Sequence, residues 1–247
     1  MRNVTADDRA LARLTELQDQ YGLPAGSAER FDGLLRLVAE SPHSLTTVRD
    51  PVEGAEFHVA DSLTGLTLLP VRDAGRIADR IADLGAGAGF PGLVLAIALP
   101  DAEVVLVESV GKKAGFIEET ATALGLSNVA VVTDRAESWA AGLGTCDVVT
   151  ARALAPLDAL LEYAAPLLRT GGALVAWKGR RVPDEEGAAA IAAGILGMEP
   201  PEPVPVTGPG AAARHLYLSR KVRPTPSGYP RRPGMARKRP LGGSSGA

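Results

Sequence analysis

The sequence predicts an α/β fold: a Rossmann-like sheet with an N-terminal helical cap and a basic C-terminal tail. Three observations carry that expectation. From about residue 77 to 178, short apolar runs alternate with helical patterns, the signature of βαβ units around a parallel sheet. The first run leads into a glycine-rich stretch, Gly85-Ala86-Gly87-Ala88-Gly89-Phe90-Pro91-Gly92, followed by another apolar segment. The second run ends on a carboxylate, Glu108, at the strand end where α/β sheets present ligand-binding groups. With 247 residues, 46% of them hydrophobic, the chain is long enough to bury one substantial core.

From Ala6 to about Leu69 the apolar positions fall three and four apart, as in Leu11, Leu14 and Leu17, then Phe31, Leu34, Leu35 and Val38. This spacing predicts a helical cap over residues 1–70. A strand is expected from Ile77 to Leu84, a helix from Pro91 to Leu99, a strand from Val104 to Val107 and a helix from Lys112 to Leu124. Further strands are expected at Val129–Val132, Asp147–Thr150 and Ala173–Trp177, with a helical segment from Leu157 to Leu168 and a turn at Thr170-Gly171-Gly172. Residues 198–210, rich in Pro and Gly, read as a loop, and Leu216–Leu218 as a late antiparallel strand at the edge. These elements place the sheet domain at 71–223. Residues 224–247 read as a basic, largely flexible tail ending in a disordered Gly-Gly-Ser-Ser-Gly-Ala.

Charge is distributed unevenly. The chain has 29 acidic and 26 basic residues, yet no acid follows Glu202, while nine Lys and Arg do. A basic end without carboxylates suits a phosphate backbone or another anionic surface. The first twenty residues mix charges of both signs and do not read as a signal peptide, and the longest apolar stretch, Phe90 to Pro100, is too short to span a bilayer. No membrane association is expected. The lone cysteine, Cys146, fits a reducing compartment and apolar packing.

A strand, a glycine loop, a helix, a second strand and a terminal acid, in that order, point to a nucleoside ligand. Glycines at 85, 87 and 89 let the backbone approach it, Pro91 suits the first turn of a helix, and Glu108 can accept from both ribose hydroxyls. Two registers are open. Gly87-x-Gly89-x-x-Gly92 matches the dinucleotide fingerprint of an NAD site, in which a helix N-terminus faces a pyrophosphate. S-adenosylmethionine, without phosphate, instead offers a sulfonium and an ammonium, to which the carboxylate of Asp83 is suited; the bland alternative is an acid that caps the loop for structural reasons. Ala136-Glu137, after the third strand, is placed to border an adenine.

The fourth strand delivers Arg152 to the ligand crevice, where it could orient cofactor, phosphate or base, or simply form a surface ion pair. No Asn or Asp followed by Pro-Pro and an aromatic is present, which disfavours methylation of an exocyclic amine. Cys146, at the start of its strand, is poorly placed to attack a pyrimidine carbon. A ring nitrogen with a free lone pair would need alignment and no general base. Lys178, in Lys178-Gly179-Arg180-Arg181, could hold a phosphate. His58 and Asp61, three apart, share one face of a helix and read as a hydrogen-bonded or capping pair between domains; no metal is expected.

Taken together, these residues resemble the bacterial RsmG family, also called GidB, over roughly residues 30–241. The resemblance rests on Ser44-Leu45-Thr46, His58-x-x-Asp61-Ser62-Leu63, Asp83 through Gly92, Glu108-Ser109 with Lys112-Lys113, Arg135-Ala136-Glu137, Arg152-Ala153, Lys178-Gly179 and Tyr229-Pro230-Arg231-Arg232-Pro233-Gly234. It implies a Rossmann-like class I methyltransferase sheet that uses S-adenosylmethionine to methylate guanine N7 in 16S ribosomal RNA, at the loop beside the decoding site. By similarity, Gly85, Phe90, Ala136, Glu137 and Arg152 would touch the methyl donor, with Asp83, Gly87 and Glu108 completing the cofactor site. Arg152 is then the residue expected to act in catalysis, by orienting the reacting partners, and Lys178, Arg231 and Arg232 are expected to contact RNA. The resemblance further implies a cytoplasmic monomer acting on 16S rRNA or the small ribosomal subunit. Ser44 stands where the family usually has Asn.

Overall fold

The first helix, α1 (Ala6–Tyr21), starts at a capping box in which Thr5 and Asp8 satisfy each other's backbone N–H groups, and it stops at Gly22 in the left-handed conformation. The computed structural model of the chain describes residues 5–43, 45–69, 78–206 and 214–243. Helix α2 (Ser27–Glu40) follows, and the two bury Leu14, Leu17, Phe31, Leu34, Leu35 and Val38, the stripe the spacing predicted, while Leu11 stays on the surface. After an irregular stretch the chain forms one continuous helical run: α3 (Pro51–Gly54), a π turn (Ala55–Ala60), α4 (Asp61–Leu63) and a 3-10 turn (Thr64–Leu68). A π turn within a helix often marks a functional position, and this one contains His58 and leads into Asp61.

Among the described residues, seven strands make a single sheet: β1 (Arg80–Leu84), β2 (Glu103–Val107), β3 (Val129–Val132), β4 (Cys146–Arg152), β5 (Leu168–Lys178), β6 (Glu202–Pro205) and β7 (His215–Arg220). Their order is β3-β2-β1-β4-β5-β7-β6. The first five are mutually parallel, and β7 is antiparallel to both its neighbours. The chain reverses its direction of travel across the sheet between β1 and β4, so the loops after those strands part to form a crevice. Helices α5 (Gly92–Ala98) and α6 (Gly111–Ala123) pack with the cap on one face, around Phe31, Leu34, Leu93, Leu106 and Ile117. Helices α7 (Leu157–Leu167), α8 (Pro183–Leu196) and the short α9 (Met235–Lys238) cover the other, around Val105, Val149, Leu160 and Leu174.

Three segments depart from the sequence expectation. Residues 202–205 form a strand inside the stretch read as a loop, because Pro203 and Pro205 are tolerable where one side of a strand has no partner. That places β7 one strand in from the edge. Strand β5 begins at Leu168 and runs through Thr170-Gly171-Gly172, with a register irregularity against β4 between Cys146 and Val148. Finally, the tail as far as Gly243 is laid down on the body: Ala236 is 2% exposed, and Tyr229 and Leu241 pack on the α7–α8 layer. The physical reason is an ion pair with a buried acid, described below. Ser44, the start of the first predicted strand at Ile77 and the last four residues lie outside the described residues. Among the described residues no helix is long and apolar enough to cross a membrane.

Candidate active site

The glycine loop after β1 is held by hydrogen bonds from both sides. Gly85 adopts φ +66° and donates its N–H to the carbonyl of Val107, at 2.8 Å; a Cβ there would come within 2.6 Å of Leu154. Glu108 bridges the loop to the next turn, accepting from the N–H of Gly87 at 2.9 Å and of Val110 at 2.8 Å. Asp83, fully buried, accepts from the Gly92 N–H at 3.0 Å and from the Thr150 hydroxyl at 2.8 Å. Burial pushes its carboxyl up to about 7, while those two hydrogen bonds pull the other way. Gly92 has no space for a side chain, since a Cβ would lie 2.8 Å from the Asp83 carboxylate.

Over the carboxyl ends of these strands lies a cavity of about 230 Å³. Gly85, Ala136 and Glu137 line it, together with Ser109, Asp134, Leu154, Tyr163, Gly234 and Arg237. The short turn Ala136–Ser138 presents Glu137, whose carboxylate accepts the Gly234 N–H at 2.9 Å and so is tied to the tail rather than to Arg135.

Phe90 and Arg152 belong to a second cluster that joins the cap to the sheet. The His58 imidazole stacks on the Phe90 ring, centroids 4.5 Å apart and planes at 16°, and the Arg152 guanidinium carbon lies 5.4 Å from the same ring's centroid. Arg152 Nη1 donates to Asp61 at 3.0 Å and to the Phe57 carbonyl at 3.2 Å, and Nη2 reaches His58 Nδ1 at 3.4 Å. Because a guanidinium only donates, Nδ1 is the acceptor, and Nε2 carries the proton toward Thr46 Oγ1 at 2.9 Å. Burial first, and then the positive charge of Arg152, push the imidazole down to about 4, so it is neutral. Asp61 also accepts from Arg214 at 2.7 Å, and its backbone carbonyl takes the Trp177 indole N–H at 2.8 Å. His58 and Asp61 thus share a face, as their spacing predicted, with Arg152 bridging them.

The expected RNA contacts fare differently. Lys178 is paired with Glu185 at 2.6 Å, and Arg231 grips the buried Glu162; Arg232 is exposed. Thr150, Trp177, Tyr163, Gly234 and Arg237 were missed as site residues. Only Gly234 carried a signal, as the end of the Tyr229–Gly234 motif.

A glycine loop after β1, an acid after β2, a cavity over the strand ends and an antiparallel β7 between β5 and β6 define a class I, S-adenosylmethionine-dependent methyltransferase. Solved structures share this fold. A SAM-dependent methyltransferase from Aquifex aeolicus aligns with a TM-score of 0.51 at 17% identity, covering 66% of this chain and 90% of that one. A mutant form of MtNAS aligns at 0.54 and 19%, covering 85% and 76%. Within the class, residues 28–216 match the family described as rRNA small subunit methyltransferase G, GidB. A relative named ribosomal RNA small subunit methyltransferase G from Chloroflexus aggregans is 43% identical over 92% of this chain and 97% of its own length; one of the same name from Desulfitobacterium hafniense is 37% identical over 94% and 96%. The chain belongs to this family.

Proposed function

We propose that the chain transfers the methyl group of S-adenosylmethionine to N7 of a guanine in 16S ribosomal RNA, in the loop beside the decoding site. The observation that carries this reading is the Phe90–His58–Arg152 cluster beside the glycine loop. It sets the partly exposed Arg152 guanidinium, able to orient a base, against the buried and stacked Phe90 and His58 rings, with the imidazole held neutral and both its nitrogens engaged. Guanine N7 has a lone pair and no proton to lose, so alignment suffices and no general base is needed.

The residues present fit the donor. Glu108, whose two oxygens already accept N–H groups, can accept from ribose hydroxyls in the same way; Ala136-Glu137 would border the adenine; and the buried Asp83 shapes the loop through Gly92 rather than facing the donor. When bound, S-adenosylmethionine supplies an electrophilic methyl group. Arg152, fixed by Asp61 and the Phe57 carbonyl, orients the base against it. Transfer to a ring nitrogen would ask of this chain's residues only that they align the base, since no proton has to be removed. Arg232 on the tail, and Lys178 on release from Glu185, would meet RNA phosphates. We further propose that the enzyme works as a monomer in the cytoplasm.

The test is transfer of radiolabelled methyl groups to naked 16S rRNA and to assembled small subunits, beside calorimetric titration with S-adenosylmethionine and NAD. Incorporation into either RNA form supports the reading. Tight NAD binding without S-adenosylmethionine binding, or no incorporation into either form, overturns it.

A further inference from the structure

We infer that the C-terminal segment 230–239 is a built wall of the methyl-donor cavity, and that Arg231 is a positioning residue for donor binding rather than a phosphate contact. The inference rests on the donor reading of that cavity.

It starts from Glu162 on α7, which is 2% exposed in a layer made mostly of Leu and Ala. A carboxylate that deeply buried is tolerable only with a partner. Arg231, 69 positions later, supplies a two-pronged one, with Nε 2.6 Å from one oxygen and Nη2 on the other. The same guanidinium donates to the carbonyl of Arg239 at 2.9 Å, so a single side chain pins the segment near its start and at its end. Between those points two residues are turned toward the sheet. The N–H of Gly234 donates to Glu137 at 2.9 Å, and Arg237 donates to the carbonyl of Leu154. Gly234, Arg237, Glu137 and Leu154 all line the cavity, as does Tyr163, the residue after Glu162.

The anchor and the cavity wall are therefore one structure. Two consequences follow for the donor site. The Glu137 carboxylate is occupied by the tail, so this residue shapes the adenine border by holding Gly234 in place. And releasing Arg231 strands Glu162 without its partner, which frees the segment and opens one side of the cavity.

The experiment uses the full chain, with S-adenosylhomocysteine as the probe in calorimetry. The wild type and Arg30→Gln, an exposed change on α2 away from the cavity, should bind it alike, Arg231→Gln should bind at least about tenfold more weakly, and Arg231→Lys should recover part of the loss. Steady-state kinetics should show the Arg231→Gln defect in the KM for S-adenosylmethionine and not in the KM for RNA. Since Arg231→Gln could lose its fold, hydrogen exchange on the intact wild type decides: the probe should slow exchange of the amides from Gly234 to Arg239. Unchanged exchange there, or an Arg231→Gln protein that is folded and binds within twofold of the wild type, overturns the inference. If the wild type binds no S-adenosylhomocysteine at all, the donor reading falls and takes this inference with it; binding equal in both proteins sinks this inference alone.

Discussion

Replacing Asp83 by Asn puts a group that cannot titrate in place of a buried carboxyl while keeping its contacts. The amide oxygen can still accept from Gly92, and the amide nitrogen can donate to Thr150, whose hydroxyl also has the Ala82 carbonyl within 3.5 Å. In the folded wild type the carboxyl titrates near 7, against 3.8 for an unperturbed one. Between those values the native state holds a proton that the unfolded state has released, so stability falls as pH rises through the window and levels off above it. Each pH unit costs about 1.4 kcal/mol, and roughly three units amount to about 4 kcal/mol. Asp83→Asn has no such dependence. Guanidinium unfolding of both proteins at pH 5, 6, 7 and 8 should therefore show the stability gap, mutant minus wild type, growing by about 1.4 kcal/mol per unit up to pH 7 and then flattening. Subtraction cancels the other titrating groups. A gap that stays constant from pH 5 to 8 would refute the reasoning.

Gly85→Ala puts a methyl group against Leu154 at a positive φ and should cost about 1–2 kcal/mol, lowering Tm by about 2–8 °C; an unchanged melt in differential scanning calorimetry would contradict it. Asp61→Ala leaves Arg152 and Arg214 without their shared carboxylate and should lose about 3 kcal/mol in denaturant titration, with a slower single-turnover methyl transfer, whereas Asp61→Asn should retain part of both. His58, held neutral down to about 4 when folded, binds a proton in the unfolded chain below 6.5, so wild-type stability drops as pH falls through that window, by up to about 3 kcal/mol. His58→Gln should abolish this acid-side loss, measured by urea unfolding between pH 4 and 7.

The features legible in the sequence are those with local periodicity. Phe31, Leu34, Leu35 and Val38 announce a helix face by their spacing, and the apolar runs that became β1, β2 and β4 could be seen because parallel strands are buried on both sides. Gly85 and Glu108 were readable for the same reason, each terminating such a run. Strand β6 was hidden by its two prolines, which are local loop signals overruled by pairing with β7. The tail was hidden more deeply. Its Pro, Gly and Arg composition is that of solvated chain, and the acid that orders it sits 69 positions away inside an apolar helix. Likewise His58 and Arg152 each looked suggestive alone, but nothing in the sequence places partners 94 positions apart over one phenyl ring.

Under the proposed function, a ring nitrogen of guanine in 16S rRNA receives the methyl group. N7-methylguanine renders the RNA strand cleavable after borohydride reduction and aniline treatment, so the position of cleavage reports the modified base directly. In 16S rRNA from cells that contain this protein, a single added scission in the loop beside the decoding site is predicted, absent from cells that lack it and restored when the purified protein and S-adenosylmethionine are supplied. An identical cleavage pattern with and without the protein would contradict the account.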